Sequence, residues 1–251
     1  MVFNYKAPAH LFAALLVAIS LLVFVVFPIL SYLGVMNADA TIEQMSQFPQ
    51  ELIAVMEVML LLIQVIFVVF FFIIVPIVWY ILVNNFTREQ IIDKLQLSLS
   101  GIDKAVLWGV LTAVGAFCVT IAMTFAVQLF GVNVEDAGNI QDLERYFSLP
   151  SILVLSTFQP IAEEIFFRGF LLEKLSSRFG TTVALFGTSA LFGIAHLTGG
   201  NAIPALVTGL IGILLAYVVL KTKSLYAAIV AHILFNVTSV ILYIIGKSIA
   251  T

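Results

Sequence analysis

Residues 54–83 read AVMEVMLLLIQVIFVVFFFIIVPIVWYILV, and in this stretch the only charged side chain is Glu57. A helix crosses a hydrocarbon core of about 30 Å with roughly 20 apolar residues. This stretch is longer than that, so it spans a bilayer and must tilt, kink or protrude. Pro76 is the natural place for a kink. Glu57 lies near its start, at the membrane interface.

Working outward, six more runs of the same kind follow the scan: 11–36, 105–131, 149–172, 181–197, 201–220 and 224–246. The first is followed by no small-residue cleavage site, so it reads as a retained helix, not a removed signal peptide. The expected fold class is therefore all-α, a polytopic membrane bundle of about seven transmembrane helices. Composition agrees. Hydrophobic residues make up 62% of the 251, against roughly 45–50% in soluble domains. Charged residues make up 10%, against about 25%. No basic cluster exists to neutralise phosphates, which excludes a nucleic-acid partner and leaves the lipid bilayer as the main one. A lone Cys118 excludes a disulfide framework, and its apolar setting reads as structural.

The connections sort by charge. Lys6, Arg88, Lys94, Lys104, Lys174, Arg178, Lys221 and Lys223 fall on one side, while Arg145 and Lys247 fall on the other. Asp39, Glu43, Glu51, Glu135, Asp136, Asp142 and Glu144 sit with the second set. The positive-inside rule then predicts a cytoplasmic N-terminus and an outward C-terminus. The lack of a targeting peptide and the compact size point to a prokaryotic cell membrane. Segment 84–104 is more than a loop. Thr87 and Gln90 fit a capping box. Ile91, Leu95, Leu99 and Ile102 recur at helical spacing, predicting a surface amphipathic helix near 87–102.

Ionisable groups inside a span are costly and mark function. The last four runs hold five: Glu163, Glu164, Arg168, His196 and His232. The chain therefore divides into N-terminal membrane helices (1–148) and a polar-cored unit (149–246) that carries the chemistry. Glu164 and Arg168 are four apart and share a helix face, so they pair. Glu163 is turned about 100° away and has no local partner in this reading. A carboxylate of that kind suits general-base work on water. Phe192 and His196 are four apart, as are His232 and Asn236. Two donors aimed at one point would form an oxyanion hole. Taken singly, each pair also fits helix packing or interhelical bonding. Ala205, Gly209, Gly212 and Ala216 form a small-residue stripe for close helix approach.

Taken together, Glu163-Glu164-x-x-x-Arg168, Phe192-x-x-x-His196 and His232-x-x-x-Asn236 resemble the three-motif signature of the CPBP family, also called the Abi or type II CAAX prenyl endopeptidase family. The likeness covers about residues 149–244. It implies hydrolysis of a peptide bond near the membrane face, in a prenylated CAAX tail or another membrane-associated peptide. It also implies roles. Glu163 would activate water, His196 would hold that water, and His232 with Asn236 would stabilise the oxyanion. Glu164 and Arg168 would support them, with Phe192 beside His196. No cofactor is required by this reading, yet Glu163, His196 and His232 also have the make-up of a catalytic zinc set. The H-E-x-x-H helix is absent. Two other functions stay open at this point. One is a non-proteolytic bacteriocin-immunity or scaffold protein of the same fold. The other is a proton-coupled transporter using the same carboxylate and histidines as a relay.

One count resists the assembly. Measured from the cytoplasmic ends of their runs, Glu163 lies about 15 Å deep and His232 about 12 Å, but His196 lies about 22 Å deep.

Overall fold

A computed structural model describes residues 3–34, 48–131, 143–144, 146–197 and 202–250. The acidic residues expected at 39, 43, 135, 136 and 142, together with Arg145 and the turn at 198–200, lie outside the described residues. All described elements are helices: α1 (Pro8–Tyr32), α2 (Gln50–Leu82), α3 (Arg88–Lys94), α4 (Ile102–Leu129), α5 (149–179), α6 (Thr181–Ile194), α7 (Ile203–Thr222) and α8 (Leu225–Ala250). The architecture is the expected polytopic helical bundle. Five helices are long and apolar enough to cross a membrane: α1, α2, α4, α7 and α8. The other two runs are helical but depart from a plain span. α5 is long and carries buried charge, and α6 has only 14 residues, about 21 Å of rise.

The surface helix is also shorter than its periodicity suggested. It stops at Lys94 because Gln96 (φ 56°) and Gly101 (φ 71°) both take left-handed backbone. Its capping box does form. Gln90 N–H donates to Thr87 Oγ1 at 3.4 Å, and Thr87 N–H donates to Gln90 Oε1 at 2.9 Å. Ile91 and Leu95 turn inward and join the core, while Leu99 is left exposed.

Two helices contain a wide turn with π-type bonding, Val69–Ile74 in α2 and Ile165–Leu171 in α5. The first sits directly ahead of Pro76, whose missing N–H already interrupts the α ladder. The two turns pack against each other through Phe72, whose ring lies 5.2 Å from Phe166 and 5.8 Å from Phe167. These rings belong to the largest core cluster, which also takes in Tyr80, Phe170 and Phe192.

The small-residue stripe does what was expected of it. A Cβ placed on Gly193 would lie 2.6 Å from the Ala205 carbonyl and 3.1 Å from Gly209 Cα, so α6 and α7 touch backbone to backbone. At the N-terminal end of α2, Glu57 Oε1 accepts from Ser148 N–H, Ser148 Oγ–H and Ser151 Oγ–H, tying α2 to the start of α5. Glu144 likewise takes bonds from Tyr243 and Lys247 of α8. Its carboxyl is held below the usual carboxylate range, chiefly by the Tyr243 O–H and the Lys247 ammonium.

Candidate active site

The polar residues converge where α5, α6, α7 and α8 meet. Glu163, Glu164, Arg168 and His232 are all buried, and both side chains of the Glu164–Arg168 pair are 0% exposed. The pair forms as the spacing predicts, with Arg168 Nη1 donating to Glu164 Oε1 at 2.8 Å. The guanidinium also reaches the Gly212 carbonyl at 3.3 Å and lies 4.1 Å from the centre of the Phe192 ring. A side chain at Gly212 would occupy that space, since its Cβ would sit 3.1 Å from Arg168 Nη2.

Glu164 Oε1 has a second partner, His232 Nδ1 at 2.9 Å. A carboxylate oxygen only accepts, so Nδ1 carries a proton. The other ring nitrogen, Nε2, faces Glu163 Oε2 at 3.9 Å. That is too long for a direct hydrogen bond and short enough for one water molecule to contact both atoms. Glu163 is therefore not paired with Arg168, as its position on the helix implied. The expectation that it has no local partner is corrected, however. Gln159, one turn earlier, donates Nε2–H to Glu163 Oε1 at 2.7 Å. Spacing alone could have flagged Gln159, since i−4 from Glu163 is the same relation that joined Glu164 to Arg168.

His196 lies just past the end of α6. Its Nδ1 is 2.8 Å from the Phe192 carbonyl, so this nitrogen donates and Nε2 is the acceptor in the neutral ring. The Phe192 ring neighbours both histidines, its centre 4.7 Å from that of His196 and 5.6 Å from that of His232. Asn236, one turn beyond His232, is half-buried and makes no side-chain hydrogen bond among the described residues. The structure thus brings Glu163, Glu164, Arg168 and His232 together directly and joins His196 to them through Phe192. Among the described residues it shows no hydrogen bond from the Asn236 side chain to the others.

The depth mismatch disappears once the helix ends are known. α5 runs on to Phe179, past the predicted end at 172, and turns at Gly180 (φ 85°) directly into α6. Glu163 and His196 are then nearly equidistant along the chain from that turn, so they lie at similar depth. α8 begins inside the bundle. Leu225 is fully buried, and its N–H donates to the Gln96 carbonyl at 2.9 Å. Leu225 also packs at Gly169, six residues from Glu163, while His232 is seven residues into α8. Both side chains therefore sit about 10 Å from a shared level.

Among the described residues, no group of three or more His, Cys, Asp and Glu side chains is placed to hold a metal ion. Glu163, His196 and His232 form no such group.

Residues 145–238 match a family model described as type II CAAX prenyl endopeptidase Rce1-like. The matched segment contains every residue of the three motifs, so the family match and the motif resemblance fall on the same helices. No curated protein and no solved structure matches the chain.

Proposed function

We propose that this protein is an intramembrane endopeptidase whose catalytic core is 149–246. It would hydrolyse a peptide bond near the membrane face in a membrane-associated peptide, with a prenylated CAAX tail as the leading substrate class. The observation that carries this reading is the buried Glu163 Oε2 facing His232 Nε2 at 3.9 Å inside a segment that matches a protease family.

In this mechanism Glu163 takes a proton from water as the oxygen attacks the scissile carbonyl. His196 Nε2 accepts the other water O–H, because its Nδ1 is already donating. The tetrahedral oxyanion receives the Nε2–H of His232 and an amide N–H of Asn236. His232 can donate from Nε2 only when the ring carries both protons, since Nδ1–H is held by Glu164. Glu164 stabilises that imidazolium, and Arg168 fixes Glu164. Collapse of the intermediate breaks the C–N bond, and Glu163 returns its proton to the leaving amine.

The test is cleavage of a prenylated CAAX peptide, and of unmodified membrane-proximal peptides, by the purified detergent-solubilised protein. Wild type should cleave. Glu163→Ala should lose on the order of 10²–10⁴ in kcat, the usual worth of a general base. A folded wild type that cleaves no membrane-proximal peptide, or a Glu163→Ala variant at full rate, would refute the reading.

A further inference from the structure

Gln64 is the only polar side chain in α2 between Val58 and Trp79. A lone amide in an apolar span is expensive without a partner. Its partner is on α5: Gln64 Nε2 donates to Gln159 Oε1 at 3.5 Å. Gln159 passes the interaction on, its own Nε2 donating to Glu163 Oε1 at 2.7 Å, the short length of a charge-assisted bond. The amide cannot be turned round without placing its oxygen against the carboxylate. The direction of the chain is thus fixed: Gln64 to Gln159 to Glu163.

We infer that Gln159 is a positioning residue for the Glu163 carboxylate, and that Gln64 of α2 orients it. The inference rests on Glu163 being the base. A carboxylate has two oxygens and turns easily about its last torsion. With Oε1 held by Gln159, Oε2 stays turned toward His232 across the 3.9 Å gap. Without the amide, the carboxylate is free to rotate and close directly on His232, filling the place where water must sit. A helix outside the matched segment thereby contributes to the site. The plainer alternative is that the two glutamines only hold α2 against α5.

Three variants separate these roles, assayed in the full-length detergent-solubilised protein on the substrate that wild type cleaves. Gln159→Glu keeps an acceptor for Gln64 but offers oxygen to Glu163. Gln159→Met removes both bonds at similar side-chain volume. Gln64→Leu removes only the interhelical bond. The expected result is a fall in kcat of about 10- to 100-fold in both Gln159 variants, the scale of a misplaced reacting group. KM should stay unchanged, and Gln64→Leu should fall only about 2- to 5-fold, because the 2.7 Å bond survives. Wild-type kcat in Gln159→Met overturns the inference whatever its thermal stability. Should that variant fail to fold, Gln159→Asn carries the same test, since its shorter amide does not reach Oε1. The two failures are distinguishable. Full-rate Glu163→Ala removes the base and the inference with it. A dead Glu163→Ala beside a full-rate Gln159→Met removes the inference alone. Difference infrared spectra against Glu163→Gln give a readout independent of turnover: the Glu163 carboxylate band should move in the Gln159 variant, and an unmoved band rejects the bond.

Discussion

Arg168→Met should be among the most destabilising single substitutions in the chain. Arg168 and Glu164 are both 0% exposed, and their 2.8 Å bond lies in a low-dielectric interior. Methionine fills most of the aliphatic space and removes the charge, leaving Glu164 with His232 as its one remaining donor. Removing one member of a buried pair typically costs about 3–5 kcal/mol, because the other charge is left uncompensated. The guanidinium contact with the Phe192 ring at 4.1 Å is lost as well, adding about 0.5–2 kcal/mol. The residual His232 bond offsets part of this, so the expected loss is about 3–5 kcal/mol. Reversible unfolding in mixed micelles, followed by helicity and intrinsic tryptophan emission, measures it. The double variant Glu164→Gln/Arg168→Met should lie closer to wild type than Arg168→Met, because no unpaired charge remains. A single-variant loss under about 1 kcal/mol would refute the argument. So would a double variant less stable than Arg168→Met.

Four further outcomes are expected. Gly193→Ala should cost about 1–3 kcal/mol by forcing α6 off the Ala205 carbonyl. Gly187→Ala should be near neutral, its Cβ meeting nothing nearer than Leu175 at 3.9 Å; equal unfolding free energies for the two would refute the close-packing account. Cleavage should survive a strong zinc chelator, and loss of activity that added zinc restores would replace the metal-free mechanism. In a Cys118→Ala background, Lys94→Cys should react with an impermeant maleimide only from the cytoplasmic side and Lys247→Cys only from the opposite side, since these exposed residues lie at opposite ends of the bundle. Labelling from the same side would refute the orientation. Finally, the depressed Glu144 carboxyl contributes stability above its unfolded value near 4.3, and loses it as pH falls through the folded value. The thermal midpoints of wild type and Glu144→Gln should therefore converge as pH falls below about 4.3, the unfolded value, and parallel curves would show that the contact contributes nothing.

The bundle was legible because lipid demands long apolar runs, and each of the seven runs is a helix. The Glu164–Arg168 and Phe192–His196 relations were legible because both are i, i+4, the first within α5 and the second across the end of α6. Helix ends were harder to read. α6 stops at Ile194 and α5 continues to Phe179 through charged residues that a hydropathy scan rejects. Those two shifts created the apparent depth mismatch. The amphipathic reading of 87–102 failed for a similar reason: periodicity counts apolar positions and does not register the left-handed residues at 96 and 101. What the sequence could not contain is contact between distant helices. His232 meets Glu164 across 68 positions, and Gln64 meets Gln159 across 95.

The short α6 has a consequence for how the His196 ring is prepared for the role proposed for it. A helix that ends within the bilayer must still satisfy its last carbonyls. Here Leu191 is met by Ala195 N–H, Gly193 by His196 N–H and Ile194 by Leu197 N–H. The Phe192 carbonyl is met by the His196 ring itself. Folding the end of α6 therefore selects one tautomer of the imidazole before any substrate arrives. The lone pair on Nε2 is set in advance, and no proton has to be rearranged on the ring at the moment of reaction. The same bond makes the ring a helix cap, so replacing it with alanine would unfasten the helix end along with the chemistry.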